Sequence, residues 1–293
     1  MQNNMKHTIL APAKVNLYLD VLSRREDGYH EIESVMQAVS ICDKISVDIS
    51  DASELQISLS GTNDAIAWDE KNLAYRACEL FAKEAKISNS RIEIFVEKNI
   101  PICAGMAGGS TDAAGVLLIL NKAFGEPFSK EELCSIGARL GADVPFCIIG
   151  GTCLCKGVGD VLIPLSPFSD RLLVCAIDSS SVSTPVAYSL LDKKYGTSAT
   201  SSADLDAFLA YVKNGDLKEV SSSLFNKFES VIIPENPTIL KIKDLLLSNG
   251  ALGALMSGSG PSVFGVFENE NDQKRALEAL QKEKIQAFSC KSL

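Results

Sequence analysis

Residues 101–112 read Pro101-Ile102-Cys103-Ala104-Gly105-Met106-Ala107-Gly108-Gly109-Ser110-Thr111-Asp112. An alternating stretch, RIEIFVEK (91–98), precedes them, and an apolar helical stretch, AAGVLLILNKAF (113–124), follows. A glycine-rich turn between a strand and a helix lets backbone N–H groups approach a phosphate closely. The helix N-terminus there adds roughly half a unit of positive charge. Ser110, Thr111 and Asp112 can cap the helix or supply oxygen ligands, and the same residues would equally suit a plain β-α turn. The run is not G-x-x-x-x-G-K-[ST], because no lysine follows the glycines, and it is not G-x-G-x-x-G. P-loop NTPase and Rossmann dehydrogenase readings are therefore weak.

Outward from this loop, a second glycine-serine cluster, LMSGSGPS (255–262), lies between two apolar stretches. It reads as a hairpin turn or as a second set of backbone donors for a polyphosphate. The sequence alone does not bring the two loops together. Near the start, TILAPAKVNLYLDVL (8–22) alternates from Val15 onward. Val15, Leu17, Leu19 and Val21 share one face and Lys14, Asn16, Tyr18 and Asp20 the other, the pattern of a half-buried strand. Lys14 and Asn16 thus point the same way, roughly 6–7 Å apart. Asp27-Gly28 is a tight-turn signal, with Tyr29 and His30 after it, an aromatic-imidazole pair able to stack on a base or to sit at the surface. Asp143, in GADVPF (141–146), reads either as a turn aspartate or as a functional carboxylate.

The rest of the chain mixes strands and helices without regular βαβ alternation, which favours α+β over doubly wound α/β. Strands are expected at 44–50, 55–60, 91–98, 151–155, 172–177, 251–256 and 263–267. Helices are expected at 71–86, 113–124, 130–140, 184–194, 204–213, 216–226, 238–249 and 271–283. Turn residues in GVGD and PLSPFSD place a boundary near 155–170, giving an N-terminal domain of 1–160 and a C-terminal domain of 161–293. The Ser/Thr-rich YGTSATSSAD reads as an exposed loop.

The chain has 293 residues, 46% apolar and 22% charged, an ordinary globular composition. Its 28 basic and 37 acidic residues give a net charge of −9. No basic footprint for nucleic acid exists, so an anionic ligand must be held by local donors. The nine cysteines are odd in number, lie mostly among apolar neighbours and include no C-x-x-C, the usage of reduced thiols. With two histidines, zinc catalysis and a histidine triad have little material. MQNNMKHTILAPAKVN lacks an apolar signal core and no apolar run reaches about 20 residues, so a cytoplasmic protein is expected.

Taken together, these segments resemble the GHMP kinase superfamily. P-I-C-A-G-M-A-G-G-S-T-D is similar to its central ATP loop, and M-S-G-S-G-P-S to its C-terminal glycine loop. A-K-V-N-L-Y-L-D-V-L, R-E-D-G-Y-H-E-I and G-A-D-V-P-F resemble signatures of the 4-diphosphocytidyl-2-C-methyl-D-erythritol kinase family within it. The likeness runs from about residue 8 to about residue 267, with the motifs in the family's order.

This resemblance implies a GHMP kinase fold, α+β, with a ribosomal-protein-S5-like N-terminal part, a ferredoxin-like C-terminal part and the ligands in the cleft between. It implies ATP-dependent phosphorylation of the 2-hydroxyl of the methylerythritol unit. Asp143 matches the general base and Lys14 the lysine beside it. Residues 101–111 match the loop around the ATP phosphates, with Ser110 and Thr111 near Mg²⁺. Asn72, Leu73 and Lys98 match positions near the adenine. Asn16, Tyr29 and His30 match the cytidyl side, and Tyr188 an aromatic that sandwiches the cytosine with the Tyr29-His30 segment. The partner is then a small molecule carrying a cytidine diphosphate, with no nucleic acid or membrane, and the protein a monomer or homodimer. Ala107 departs from the family, which mostly has glycine there; a φ above zero at Ala107 would cost about 1 kcal/mol.

Other readings are a homoserine- or mevalonate-type kinase, a nucleotide-binding regulator without catalysis, and a structural α+β protein. The R-E-D-G-Y-H turn argues against the first, Lys14 with Asp143 against the second, and the two ordered glycine loops against the third.

Overall fold

The computed structural model describes residues 5–102, 104–178, 183–196 and 203–293. Two long strands, β1 (Met5–Arg24) and β2 (His30–Asp51), open the chain. β3 (Gln56–Gly61), α1 (Leu73–Glu84), β4 (Ser90–Glu97) and α2 (Gly108–Ala123) follow. Then come α3 (Lys130–Ala138), α4 (Val144–Ile149), β5 (Thr152–Lys156), β6 (Val161–Pro164) and β7 (Leu172–Ile177). The C-terminal half holds α5 (Thr184–Tyr195), α6 (Leu205–Asn214), α7 (Leu217–Ser222), β8 (Phe225–Asn226) and α8 (Glu229–Ile232). It closes with α9 (Pro237–Ser248), β9 (Gly253–Met256), β10 (Ser262–Phe267), α10 (Glu270–Lys282) and β11 (Gln286–Lys291). Mixed α and β content in this order is the expected α+β class. Among the described residues no helix is long and apolar enough to cross a membrane.

The chain forms two compact units. The first takes residues up to Ala13, Ile41–Ile100 and Ala107–Ile149. Its sheet runs in the order β3-β4-β2-β1. β4 alternates strictly, burying Ile92, Ile94 and Val96, which sit opposite Ile49, Val47 and Ile45 of β2. Helix α2 is apolar on almost every side and is buried through most of its length, as such a helix must be. Gly115 sets its approach to the sheet: a Cβ there would lie 2.3 Å from Ile45 Cδ1. α3 starts on a capping box, Ser129 Oγ accepting from Glu132 N while Glu132 Oε2 accepts from Ser129 N.

The second unit takes Lys14–Ser40, Pro101–Met106 and Gly150–Leu293. Here β1 pairs in parallel with β8 (Tyr18 opposite Phe225), and β2 pairs with β5, which pairs with β6. A separate antiparallel sheet runs β11-β7-β10-β9. Val174, Val263, Ile239, Ile242, Leu246 and Leu280 form part of one core between this sheet and helices α9 and α10.

Three expectations change. The strand around 15–21 is not half-buried, because Lys14, Asn16, Tyr18 and Asp20 are as enclosed as the apolar face. Tyr18 packs on Phe208 and Phe225, and Asp20 pairs with Lys227. The helix expected at 216–226 ends at Ser222, and Phe225–Asn226 becomes a strand against β1. The helix expected from 113 begins at Gly108, so the glycine run is its first turn. The loop reading of 195–204 lies largely outside the described residues.

Candidate active site

In the second unit, β1 carries Lys14 and Asn16 past both glycine loops. Lys14 N–H donates to Met106 O at 3.2 Å. Asn16 N–H donates to Ser257 Oγ at 3.2 Å, and Ser257 Oγ lies 3.3 Å from Gly105 O. The 101–106 segment and the 257–260 turn therefore meet beside Lys14, a meeting the sequence did not reveal. Gly105 has φ +70°, and a Cβ on it would lie 2.6 Å from Ser257 O. Only glycine allows that approach. Asn226 clamps the turn from β8, its Nδ2 donating to Met256 O at 2.7 Å and Gly258 O at 2.8 Å. Asn226 carries no motif in the sequence.

A directed relay sets the Asn16 amide. Ser34 Oγ gives its one proton to Tyr18 O at 2.7 Å, so it accepts from Asn16 Nδ2 at 2.8 Å. That turns Asn16 Oδ1 toward Lys14 Nζ, at 2.7 Å. Ser34 is fully buried and was not read from the sequence.

Also in the second unit, Gly28 (φ +88°) makes the expected turn and leaves Tyr29 67% exposed. His30 Nε2 lies 2.8 Å from Asp192 Oδ1. The His30 ring stacks on Tyr188 with centroids 4.5 Å apart, and Tyr188 meets Phe228 edge-on. His30 and Tyr188 are in direct contact, so no base fits between these two rings. A planar ligand must use another face, and Tyr29 is the exposed aromatic nearby in sequence.

In the first unit, Ala107 adopts φ 60°, ψ 27°, so the left-handed strain is present, and it caps α2 without a side-chain bond. The N–H groups of Gly108, Gly109 and Ser110 begin the helix and have no intrahelical acceptor. Gly109 is exposed, and a Cβ there would touch only Leu73 Cδ1, at 3.6 Å. These open donors fit an anion such as a triphosphate. Asn72 caps α1, accepting from Ala74 N at 2.9 Å. Thr111 is fully buried, and its hydroxyl donates to Pro12 O at 2.8 Å. Ser110 is less enclosed, and its Oγ lies 3.9 Å from where a Cβ on Gly141 would stand.

Asp143 is half-buried at the start of α4, with Cys147 N–H donating to its carbonyl at 3.1 Å. The turn reading of Asp143 did not anticipate a helix over Val144–Ile149; Pro145 is tolerated there because it lies in the first turn. Lys98 Nζ donates to Asp43, to Asp112 at 2.7 Å and to Gly108 O at 3.3 Å. Burial pushes the Asp112 carboxyl up to about 7, Lys98 opposing and Asp43 adding to the rise. Cys103 lies outside the described residues. Burial pushes the Cys78 thiol up to about 12, so it is an inert core group.

Comparison with known proteins shows what the chain is similar to. The GHMP kinases N terminal domain matches residues 72–151 and the GHMP kinases C terminal family matches 208–286. The chain is 41% identical over 271 residues to the 4-diphosphocytidyl-2-C-methyl-D-erythritol kinase of Clostridium perfringens (strain 13 / Type A), covering 92% of each chain. It is 40% identical over 285 residues, 96% of each chain, to that of Caldicellulosiruptor saccharolyticus. A crystal structure of 4-(cytidine 5'-diphospho)-2C-methyl-D-erythritol kinase superposes with a TM-score of 0.82 at 32% identity, over 98% of this chain and 99% of that one. Homoserine kinase from Cytophaga hutchinsonii shares the fold, with a TM-score of 0.75 at 20% identity over 100% of this chain and 95% of that one.

Proposed function

The chain belongs to the 4-diphosphocytidyl-2-C-methyl-D-erythritol kinase family of the GHMP kinases, and on that premise we propose how its residues carry the reaction. The protein is an ATP-dependent kinase. It phosphorylates the 2-hydroxyl of 4-diphosphocytidyl-2-C-methyl-D-erythritol, on the non-mevalonate route to isoprenoid precursors. The observation that supports our assignment of roles best is the meeting of the two glycine loops beside Lys14.

Asp143 takes the proton of the substrate's 2-hydroxyl. That oxygen attacks the γ-phosphorus, the bond to the β-γ bridging oxygen breaks, and ADP leaves. Lys14 balances charge on the transferring group. Its ammonium is aimed by Asn16, whose amide is turned by Ser34, so Asn16 aligns the lysine as well as lying on the substrate side. The backbone of Pro101–Thr111 cradles the phosphates, and Asn72 and Leu73 border the nucleotide. Mg²⁺ would neutralise the β- and γ-phosphate charge. Ser110 is the side chain we assign to hold it, since Thr111 is fully buried and Ser110 is less enclosed. Tyr29, His30 and Tyr188 hold the cytidyl end, with the base against the exposed Tyr29 ring. We further place the protein in the cytoplasm as a monomer or homodimer that binds no nucleic acid, and keep residue 160 as the division between its N- and C-terminal domains.

The test is a substrate panel with ATP and Mg²⁺: the cytidyl substrate, homoserine and mevalonate. Turnover of the cytidyl substrate alone is expected. Turnover of homoserine or mevalonate without the cytidyl substrate would reassign the acceptor.

A further inference from the structure

A buried ion cluster lies beneath the first turn of α2. Lys98 follows β4, Asp43 is in β2 and Asp112 is in α2, and their side chains are 4%, 0% and 6% exposed. Three elements of the first unit are thus joined at one ammonium. Lysine has three N–H donors, and those of Lys98 go to Asp43, Asp112 and Gly108 O. None remains for a nucleotide. Asp43 is itself fixed, because its Oδ1 accepts from Asn99 N at 2.6 Å and Ile100 N at 2.8 Å. Gly108 comes close enough that a Cβ on it would stand 3.4 Å from Lys98 Nζ and 3.2 Å from Ile100 Cγ2.

Buried ion clusters of this kind add little stability compared with apolar side chains of the same size. This one is also unbalanced, two carboxylates to one ammonium, and Asp112 Oδ1 has no hydrogen-bond partner. Its bonds do have one common geometric effect. They hold the carbonyl of the first α2 residue and a side chain one turn later against the end of β4. The N–H groups of Gly108, Gly109 and Ser110 then have a fixed direction.

We propose that Lys98, with Asp43 and Asp112, is a positioning group for the phosphate-binding turn, aiming the first N–H groups of α2 without itself touching ATP. The inference rests on the kinase reading above and replaces a direct adenine contact by Lys98.

The test compares the wild type with Lys98→Met/Asp112→Asn, which replaces the ammonium and one carboxyl by neutral side chains of similar size, and with Asp112→Asn alone, which keeps the Lys98–Asp43 pair. Four quantities are measured: Kd for ATP, Ki for adenosine as competitor, KM for the cytidyl substrate, and Tm. ATP binding is expected to weaken about tenfold in the double variant and about threefold in the single one, with adenosine Ki and cytidyl KM within about twofold of wild type. Equal losses for adenosine and ATP in the double variant would mean a direct adenine contact and overturn the proposal. So would unchanged ATP binding with a lowered Tm, the mark of a purely structural cluster. If the double variant does not fold, Asp112→Asn decides alone by the same readings. A wild type that binds no ATP overturns the kinase reading and this inference together; a wild type that binds ATP, with variants that bind it equally well, overturns the inference only.

Discussion

At the scale of single residues, the site depends on groups with restricted alternatives. Ser34 has one proton, spent on Tyr18 O, and this forces the amide of Asn16 to face Lys14 with its oxygen. Ser34→Ala removes that constraint and lets the amide rotate, so that two donors face each other. We expect kcat to fall about tenfold with the KM for the cytidyl substrate changed less than about threefold. A raised KM with unchanged kcat would instead make Asn16 a substrate-binding residue only. Ala107 stands where φ is 60°. Ala107→Gly removes a left-handed strain of about 1 kcal/mol, partly offset by the entropy of glycine. Denaturant titration should show a stability gain below about 1 kcal/mol; a loss would mean that the Ala107 methyl group packs usefully.

At the scale of elements, α2 has two parts: its first turn presents the backbone donors and its body is core. Gly115 lets that body approach β2, and Gly115→Leu should destabilise by about 1–3 kcal/mol through overpacking against Ile45, read as a lowered urea midpoint. Elements with one clear period were legible from sequence: β4, with its strict alternation, and α10, found within a residue of the expected 271–283. Elements governed by distant partners were not. The polar face of β1 looked solvent-exposed because nothing local announces Lys227, Phe208 or Phe225 as its cover. The strand at Phe225–Asn226 exists through its pairing with β1, which helix propensity cannot register. At the site, Lys14 and Asp143 stood out only in their motif context. Ser34, Asn226 and Asp43 act through contacts far apart in sequence and left no motif to read.

At the scale of the whole molecule, a net charge of −9 gives no diffuse attraction for a polyanionic nucleotide or a diphosphate substrate. In the proposed site, capture rests on local backbone donors and a few lysines. Accordingly, kcat/KM should change less than about threefold between about 0.05 and about 0.3 M salt, whereas a steep fall would indicate long-range steering. The central claim is that this chain transfers phosphate to an alcohol using Asp143 as base. Asp143→Asn keeps the side chain's size and its place at the start of α4 while removing the proton acceptor. Single-turnover phosphorylation of 4-diphosphocytidyl-2-C-methyl-D-erythritol, with ATP affinity measured in parallel, tests the claim most directly. The account requires the rate to fall by about 10²–10⁴ with ATP affinity within about threefold of wild type. Turnover near the wild-type rate in Asp143→Asn would contradict it.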